Sequence, residues 1–174
     1  EAQYYLYWGE TGSDKIRRAE LDGSNVADVV TGISDPNEIQ VDLSAKKIYW
    51  AKGSKIQRAN LDGTGTEDLL TGLSNPTGLA LDLTNSHLYW SSQSSPGLIS
   101  RSNLEGGGRE DLVTGTGNVK YPKSLALDLV NGHLFFRSNT AGNDDYIIRR
   151  ANLDGSSLQS NFIPGQFNNG VEGI

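Results

Sequence analysis

The sequence predicts an all-β fold made of four copies of one unit, because the same short phrases recur in the same order along its 174 residues. The most visible phrase is a strand-like pentapeptide with two adjacent aromatic residues, and successive copies lie roughly forty residues apart. It reads LYWGE, IYWAK, LYWSS and LFFRS at Leu6–Glu10, Ile48–Lys52, Leu88–Ser92 and Leu134–Ser138. A repeat of this length is typical of solenoids and propellers.

Three further phrases accompany the aromatic one and supply the other strands of the unit. A phrase ending in Asp-Gly or Glu-Gly follows it, at Ile16–Gly23, Ile56–Gly63, Ile99–Gly106 and Ile148–Gly155. A shorter phrase ending in Thr-Gly comes next, at Asp28–Gly32, Asp68–Gly72 and Asp111–Gly115, with a weaker copy at Asn161–Gly165. A proline-led phrase precedes the aromatic pair, at Pro36–Leu43, Pro76–Leu83 and Pro122–Leu129. The order of the phrases predicts a sheet of four strands per repeat.

Each phrase has the local features of a β-strand. Its apolar run is short, rich in β-branched or aromatic residues, and bounded by turn residues. Asp-Gly suits the positive-φ turn between antiparallel strands, and no long segment has a helical apolar period. A single four-stranded sheet cannot cover both its faces, whereas sheets packed around an axis can. We therefore predict one β-propeller domain over 1–174, with about four blades in repeats at 1–32, 33–72, 73–115 and 116–165.

The two chain ends also align on the repeat. The C-terminal residues 170–174 match the start of a proline-led phrase, and the N-terminal repeat lacks that phrase. We expect the C-terminal strand to pair with the N-terminal blade and close the ring, since closure leaves no open sheet edge. A single-chain, four-bladed monomer is favoured, a head-to-tail homodimer with eight blades is the alternative, and a piece of a six-bladed propeller is the third possibility.

The phrases resemble the YWTD, or class B, repeats of the propellers in low-density-lipoprotein receptors. The likeness covers essentially the whole chain and rests on LYW, RANLDG and PTGLALD. The Thr-Asp half of the signature is replaced by Gly9-Glu10, Ala51-Lys52, Ser91-Ser92 and Arg137-Ser138. The resemblance implies a ligand-binding propeller in an extracellular or secreted setting.

Composition limits the kinds of partner and cofactor that are expected for this protein. The formal net charge of −6 disfavours the phosphate backbone of nucleic acid, so no nucleic acid is expected. No apolar run approaches the ~20 residues of a membrane span, so no membrane partner is expected either. The absence of cysteine removes disulfides, thiolate nucleophiles and cysteine metal sites. We expect no cofactor and no bound metal.

Residues that recur in every repeat are interpreted first as structural. The tryptophans Trp8, Trp50 and Trp90 are predicted to pack between blades, with sugar-stacking platforms as the alternative. The repeated charges are predicted to form arginine–carboxylate pairs, with a carboxylate ring around a metal as the alternative. These charged residues are Arg18, Arg58, Arg101 and Arg150, with Asp42, Asp82 and Asp128.

Residues that break the repeat are better candidates for a binding site, because a scaffold repeats and a site need not. Four irregular loops, at 91–97, 116–121, 137–146 and 164–170, place aromatic residues among polar ones. This mixture suits a rim for protein or glycan and equally suits ordinary solvated loops. The candidate ligand-binding residues are Tyr121, Tyr146, Phe167, Asp144 and Asp145.

The leading functional hypothesis is a non-enzymatic binding module that recognises a protein or carbohydrate ligand through its loops. No catalytic residue is predicted, since no nucleophile elbow, phosphate loop or zinc motif is present. One alternative is a lectin with a sugar site on each blade. Another is a metal-dependent hydrolase or lactonase with an ion in the central channel, held by Asn37, Glu38, Glu172 and the strand-end aspartates.

Overall fold

A computed structural model describes residues 4–115, 119–139 and 146–167, with side chains in the last stretch described as far as Ile163. These residues contain fifteen β-strands and no helix. The first four strands run over Tyr5–Glu10 (β1), Lys15–Glu20 (β2), Ala27–Thr31 (β3) and Ile39–Asp42 (β4). The next four run over Lys47–Lys52 (β5), Lys55–Asn60 (β6), Glu67–Leu70 (β7) and Pro76–Asp82 (β8).

The remaining strands complete the third and fourth repeats. They run over His87–Ser92 (β9), Leu98–Asn103 (β10), Glu110–Thr114 (β11), Lys120–Asp128 (β12), His133–Asn139 (β13), Tyr146–Asn152 (β14) and Gln159–Phe167 (β15). Among the described residues, no helix is long and apolar enough to cross a membrane.

The strands form four antiparallel sheets in chain order, which we call blades 1 to 4. Blade 1 contains β1–β3, blade 2 contains β4–β7, blade 3 contains β8–β11 and blade 4 contains β12–β15. The predicted four-stranded, all-β blade is therefore confirmed. The predicted closing strand at 170–174 lies outside the described residues, so ring closure stays a prediction.

The antiparallel order gives the stack two different ends. At one end the first strand of each blade begins and the second strand connects to the third; we call this the loop end. At the other end lie the tight turns after the first strand and the Asp-Gly or Glu-Gly turns after the third, and we call this the turn end. The irregular loops singled out by sequence belong to the loop end, which separates them from the regular turns.

Three apolar clusters fill the spaces between neighbouring blades. Trp50, Trp90 and Phe136 are 0% exposed, and Tyr49 and Tyr89 are 1% exposed. Successive strand residues point to opposite faces, so in blades 2 and 3 the tryptophan packs against the preceding blade and the tyrosine faces the following blade. Burial of an aromatic side chain contributes a few kcal/mol, which makes these pairs the main source of blade-to-blade cohesion.

The repeated arginines hold adjacent blades together through backbone carbonyls and glutamates. Arg58 Nη1 donates to the Leu104 carbonyl of the next blade at 2.9 Å, and Arg101 Nη1 donates to the equivalent Leu153 carbonyl at 3.2 Å. Arg58 also forms ion pairs with Glu67 at 2.7 Å and with Glu105 at 2.6 Å. Arg58 and Arg101 therefore each connect the outer strand of their own blade, through Glu67 and Glu110, to the turn of the blade that follows.

The predicted pairing of these arginines with strand-end aspartates is wrong. Asp42 accepts hydrogen bonds from the Ser44 and Ala45 N–H groups at 2.8 and 2.9 Å, so it caps the turn after its own strand. Asp82 and Asp128 bind Asn85 and Asn131 in the same way. The aspartates end first strands whereas the arginines lie on third strands, and the turn amides are much nearer to the carboxylates.

Candidate functional site

The loop end of blade 4 gathers several of the predicted binding residues. Strand register places Lys120, Asn139, Tyr146 and Phe167 in one row across the four strands. Tyr121 follows Lys120 directly, so two predicted aromatics flank the same edge. Asp144, Asp145 and the side chain of Phe167 lie outside the described residues and remain predictions.

Tyr121 is fixed at the junction between blades 3 and 4. Its N–H donates to the Ser94 carbonyl at 2.9 Å, and the Gly97 N–H donates to the Val119 carbonyl at 3.1 Å. These bonds join the loop of blade 3 to the segment that enters blade 4. Tyr121 has φ of +48° and a side chain that is 43% exposed. An aromatic ring held outward in a backbone conformation that non-glycine residues seldom adopt is suited to contact a ligand.

Arg137 lies beneath Tyr146 and was not predicted from sequence as a site residue. Its guanidinium carbon is 4.1 Å from the centre of the Tyr146 ring, and the residue is 6% exposed. Among the described residues, its Nε has no hydrogen-bond partner, and neither does Oδ1 of Asn139, which is 8% exposed. A buried polar atom without a partner costs about 1–3 kcal/mol, so these two atoms mark a place where a ligand would supply bonds.

A signal for Arg137 was present in the sequence. The equivalent positions in the other blades are Gly9, Ala51 and Ser91, as strand register shows. The residue there faces the next blade closely: a Cβ added at Gly9 would lie 3.2 Å from Pro36 Cγ. An arginine at a position that elsewhere holds only small residues departs from the repeat more strongly than the loops do.

A second buried arginine adds positive charge to this part of blade 4. Arg149 is 1% exposed; its Nε donates to Ser138 Oγ at 2.6 Å and its Nη1 donates to the Ser160 carbonyl at 2.8 Å. Burial lowers the pKa of Arg149 from its ordinary value. With Lys120 at the same edge, the loop end of blade 4 concentrates cationic side chains in a protein whose formal net charge is −6.

The segment that enters the first strand of blade 2 carries two residues of the hydrolase hypothesis, Asn37 and Glu38. Asn37 Nδ2 donates to the Pro76 carbonyl at 3.2 Å, and Thr77 Oγ1 donates to the Pro122 carbonyl at 3.3 Å. These equivalent bonds link first strands of neighbouring blades. Glu38 accepts the Leu79 N–H, and burial raises its pKa from 4.5 to about 7. Glu38 is therefore a carboxyl group with a pKa near neutrality at the entrance to the first strand of blade 2.

The other proposed metal ligands do not converge on Glu38. Asp42 ends the strand that begins beside Glu38, which separates the two carboxylates by about 13 Å along β4. Glu172 lies outside the described residues. In the part of the chain that the structure describes, no group of three or more His, Cys, Asp or Glu side chains is arranged to hold a metal ion.

The tryptophans are unequally placed for the alternative of sugar stacking. Trp50 and Trp90 are 0% exposed, so neither presents a ring face to a ligand. Trp8 is half-buried, and its Nε1 donates to Glu10 at 3.1 Å. A lectin with one tryptophan platform on every blade is incompatible with the burial of Trp50 and Trp90.

Comparison with known proteins shows the fold. A chain of the nidogen/laminin complex is 24% identical with a TM-score of 0.78, over 87% of this chain and 57% of that one. A putative TolB from Agrobacterium tumefaciens is 15% identical with a TM-score of 0.71, over 91% and 60%. A gluconolactonase from Xanthomonas campestris is 15% identical with a TM-score of 0.68, over 84% and 54%.

The fold is a β-propeller. No family model matches this chain, and no curated protein matches it by sequence. The chain spans less than two thirds of the length of the similar structures described above. Those structures include a protein in a complex with laminin and a gluconolactonase, so the fold by itself does not choose between binding and catalysis.

Proposed function

We propose that this protein is a non-enzymatic binding module that recognises a protein partner through the loop end of blade 4. The observation that carries the proposal is a pair of buried polar atoms, Arg137 Nε beneath the Tyr146 ring and Asn139 Oδ1 on the same strand, that have no partner among the described residues. A protein segment that inserts a polar group at this edge would satisfy them. The exposed ring of Tyr121 would then contact the apolar part of the same segment.

The charge of the site selects the chemistry of the partner. Arg137 and Lys120 both lie at this edge, and guanidinium groups form strong, directional hydrogen bonds with carboxylates. Tyrosine and arginine are also the residue types that dominate binding energy at protein interfaces. The partner segment is therefore one that places a carboxylate next to an aromatic or aliphatic side chain.

A random peptide library displayed on phage tests this function. Selection on the immobilised propeller should enrich peptides with an acidic residue beside an apolar one. Tyr121→Ser should abolish the enrichment, because it removes the exposed ring. Leu129→Ser is the matched control, because Leu129 is also 43% exposed but lies at the turn end. Asn139→Asp should weaken peptide binding about tenfold by supplying Arg137 with an internal carboxylate.

The outcomes separate the proposal from its competitors. Equal selection on Tyr121→Ser and Leu129→Ser would place peptide binding elsewhere and refute the assignment. Failure to enrich any peptide, together with reproducible hits on a glycan array, would favour a lectin instead. Circular dichroism of each variant establishes that a loss of binding does not come from a loss of fold.

The hydrolase alternative has one observation in its favour, the largely buried Glu38 with a pKa of about 7. A carboxyl group tuned to neutrality is suited to general acid–base catalysis. Hydrolysis of gluconolactone, measured with and without added divalent metal, tests this alternative. Activity that is lost in Glu38→Gln would replace the binding module as the leading function, and a rate no greater than that of the Glu38→Gln variant would remove the alternative.

A further inference from the structure

The turn end holds a cavity of about 350 Å³ between blades 1 and 2, opposite the proposed protein-binding surface. Tyr4, Tyr5, Tyr7 and Arg18 line it from blade 1, and Leu43 and Lys46 line it from blade 2. Its walls are thus mainly aromatic and aliphatic, with two cationic side chains. The volume is at the lower end of the range for small-molecule pockets and suits a ligand of monosaccharide size.

Arg18 lacks the carboxylate that its counterparts bind within their own blade. Strand register places Arg58 opposite Glu67 and Arg101 opposite Glu110, and each arginine forms an ion pair with that glutamate. The same register places Arg18 opposite Ala27. Blade 1 has therefore lost the intrablade partner that the repeat provides in blades 2 and 3.

Arg18 also lacks the carboxylate from the neighbouring blade. Glu105 reaches back to Arg58, with oxygens at 2.9 and 2.6 Å from the guanidinium nitrogens. The equivalent residue for Arg18 is Asp62, which is one methylene shorter. Asp62 Oδ1 instead accepts the Thr64 N–H at 2.9 Å and the Thr64 hydroxyl at 2.6 Å.

The guanidinium of Arg18 is consequently held in place without a direct ion pair, although the carboxylate of Asp62 is near enough to feel its charge. Its carbon lies 4.3 Å from the centre of the Tyr5 ring, and Nη1 approaches the Leu61 carbonyl at 3.5 Å. Within the described residues, no carboxylate lies at ion-pair distance from Arg18. Stacking on Tyr5 orients the plane of the guanidinium and leaves its N–H edge available to an anion.

The aromatic wall is a second departure from the repeat at the same place. Register aligns Tyr5 with Lys47, His87 and His133 at the start of each second strand. Only blade 1 has an aromatic phenol there, and the adjacent Tyr4 is 61% exposed. Tyrosine offers an apolar ring face and a hydroxyl that donates or accepts a hydrogen bond, which suits a ligand with both hydroxyls and C–H groups.

We propose that this cavity binds a carboxylate-bearing sugar ring of the uronic acid type. Arg18 would bind the carboxylate, assisted by Lys46 at the rim, and the tyrosines would contact the ring. The site occurs once in the described structure, because only the junction between blades 1 and 2 combines the missing glutamate with the added tyrosines. It differs from a lectin with one site per blade and is independent of the protein-binding surface at the loop end.

Titration by NMR with glucuronate, glucose and acetate tests the proposal. Glucuronate should bind saturably. Glucose and acetate should each bind at least about tenfold more weakly, because glucose lacks the carboxylate and acetate lacks the sugar ring. Equal binding of glucose would show that charge is irrelevant, and equal binding of acetate would show that the ring is irrelevant. Either result, or the absence of saturable glucuronate binding, overturns the proposal.

One substitution tests whether Arg18 binds the carboxylate of the ligand, and it does so without removing a residue of the site. Ala27→Glu restores the glutamate of blades 2 and 3 opposite Arg18 and should lower glucuronate affinity at least about tenfold. Thr31→Glu is the control, because it adds the same charge to the same strand at the loop end. Equal affinity of the two variants would refute the role of Arg18, and the chemical shifts of the core methyl groups report whether both remain folded.

Discussion

Gly63 and Gly23 occupy equivalent turns in blades 2 and 1, and replacing each by alanine measures the contact between blades. Their backbones are alike, with φ of +85° and +84°. A Cβ at Gly63 would lie 1.7 Å from the Val29 carbonyl oxygen of the preceding blade, whereas a Cβ at Gly23 would meet nothing within 4 Å. The two substitutions therefore share their conformational cost and differ in the clash.

The expected loss of stability follows from the conformational cost and the steric clash. Alanine in the left-handed region costs about 1–2 kcal/mol at either site. At Gly63 the neighbouring backbone would also have to retreat by more than ~1 Å to reach ordinary contact, and overpacking of this kind costs about 1–3 kcal/mol. Gly63→Ala should thus be less stable than Gly23→Ala by about 2 kcal/mol, or about 4–8 °C in Tm for a chain of this length.

Thermal unfolding followed by circular dichroism measures both variants under one set of conditions. Gly106→Ala provides a graded check, because its Cβ would lie 2.6 Å from the Leu69 carbonyl and should cost less than Gly63→Ala. If Gly23→Ala and Gly63→Ala melt at the same temperature, the turn of blade 2 does not rest on blade 1. The description of the blade interface would then be wrong.

Three further predictions concern charge and closure. Arg58→Ala should destabilise the protein by about 2 kcal/mol in urea unfolding, whereas Arg18→Ala should change it by less than about 1 kcal/mol, because Arg58 has two carboxylate partners and Arg18 has no ion pair among the described residues; equal effects would contradict this. The pKa of Glu38 is raised in the folded protein, so its protonated form stabilises the fold, and this contribution is lost as pH rises from 4.5 to about 7. Over this interval the Glu38→Gln variant should therefore lose less stability than the wild type. Identical pH profiles would show that Glu38 is not buried. Deletion of 170–174 should lower Tm if that segment closes the ring, and light scattering should give 18.8 kDa for a single-chain ring or twice that mass for a shared ring.

The repeat made the blade predictable from sequence. Turn chemistry and strand alternation act over a few residues, so each phrase identifies its strand wherever the chain places it. Phe136 could likewise be equated with Trp50 and Trp90 by position, and the three side chains are all fully buried. Tyr121 and Tyr146 were singled out because their loops depart from the repeat.

The partners of individual side chains required the tertiary structure. The sequence placed an arginine and an aspartate in most repeats, but it did not reveal that one strand separates them and that turn amides bind the aspartates. The two outermost strands pair in the same register in blades 1 and 2, with a shift at the same place, so Ala27 and Glu67 are equivalent positions. The pairing of these strands, including its shift, shows that Arg18 faces an alanine where Arg58 faces a glutamate, and local sequence periodicity does not record such a shift.

The sequence by itself therefore determined the architecture of this protein, an all-β stack of four similar blades with regular turns at one end. Only the tertiary structure decided where that regularity fails chemically. Arg137 departs from the repeat and Arg18 follows it, but only the structure shows their surroundings: Arg137 lies buried beneath Tyr146 with a nitrogen that has no partner among the described residues, and Arg18 faces a cavity without a direct ion pair. The physical reason is that strand formation depends on neighbours along the chain, whereas the hydrogen-bond and ion-pair partners of a charged group come from other strands and blades.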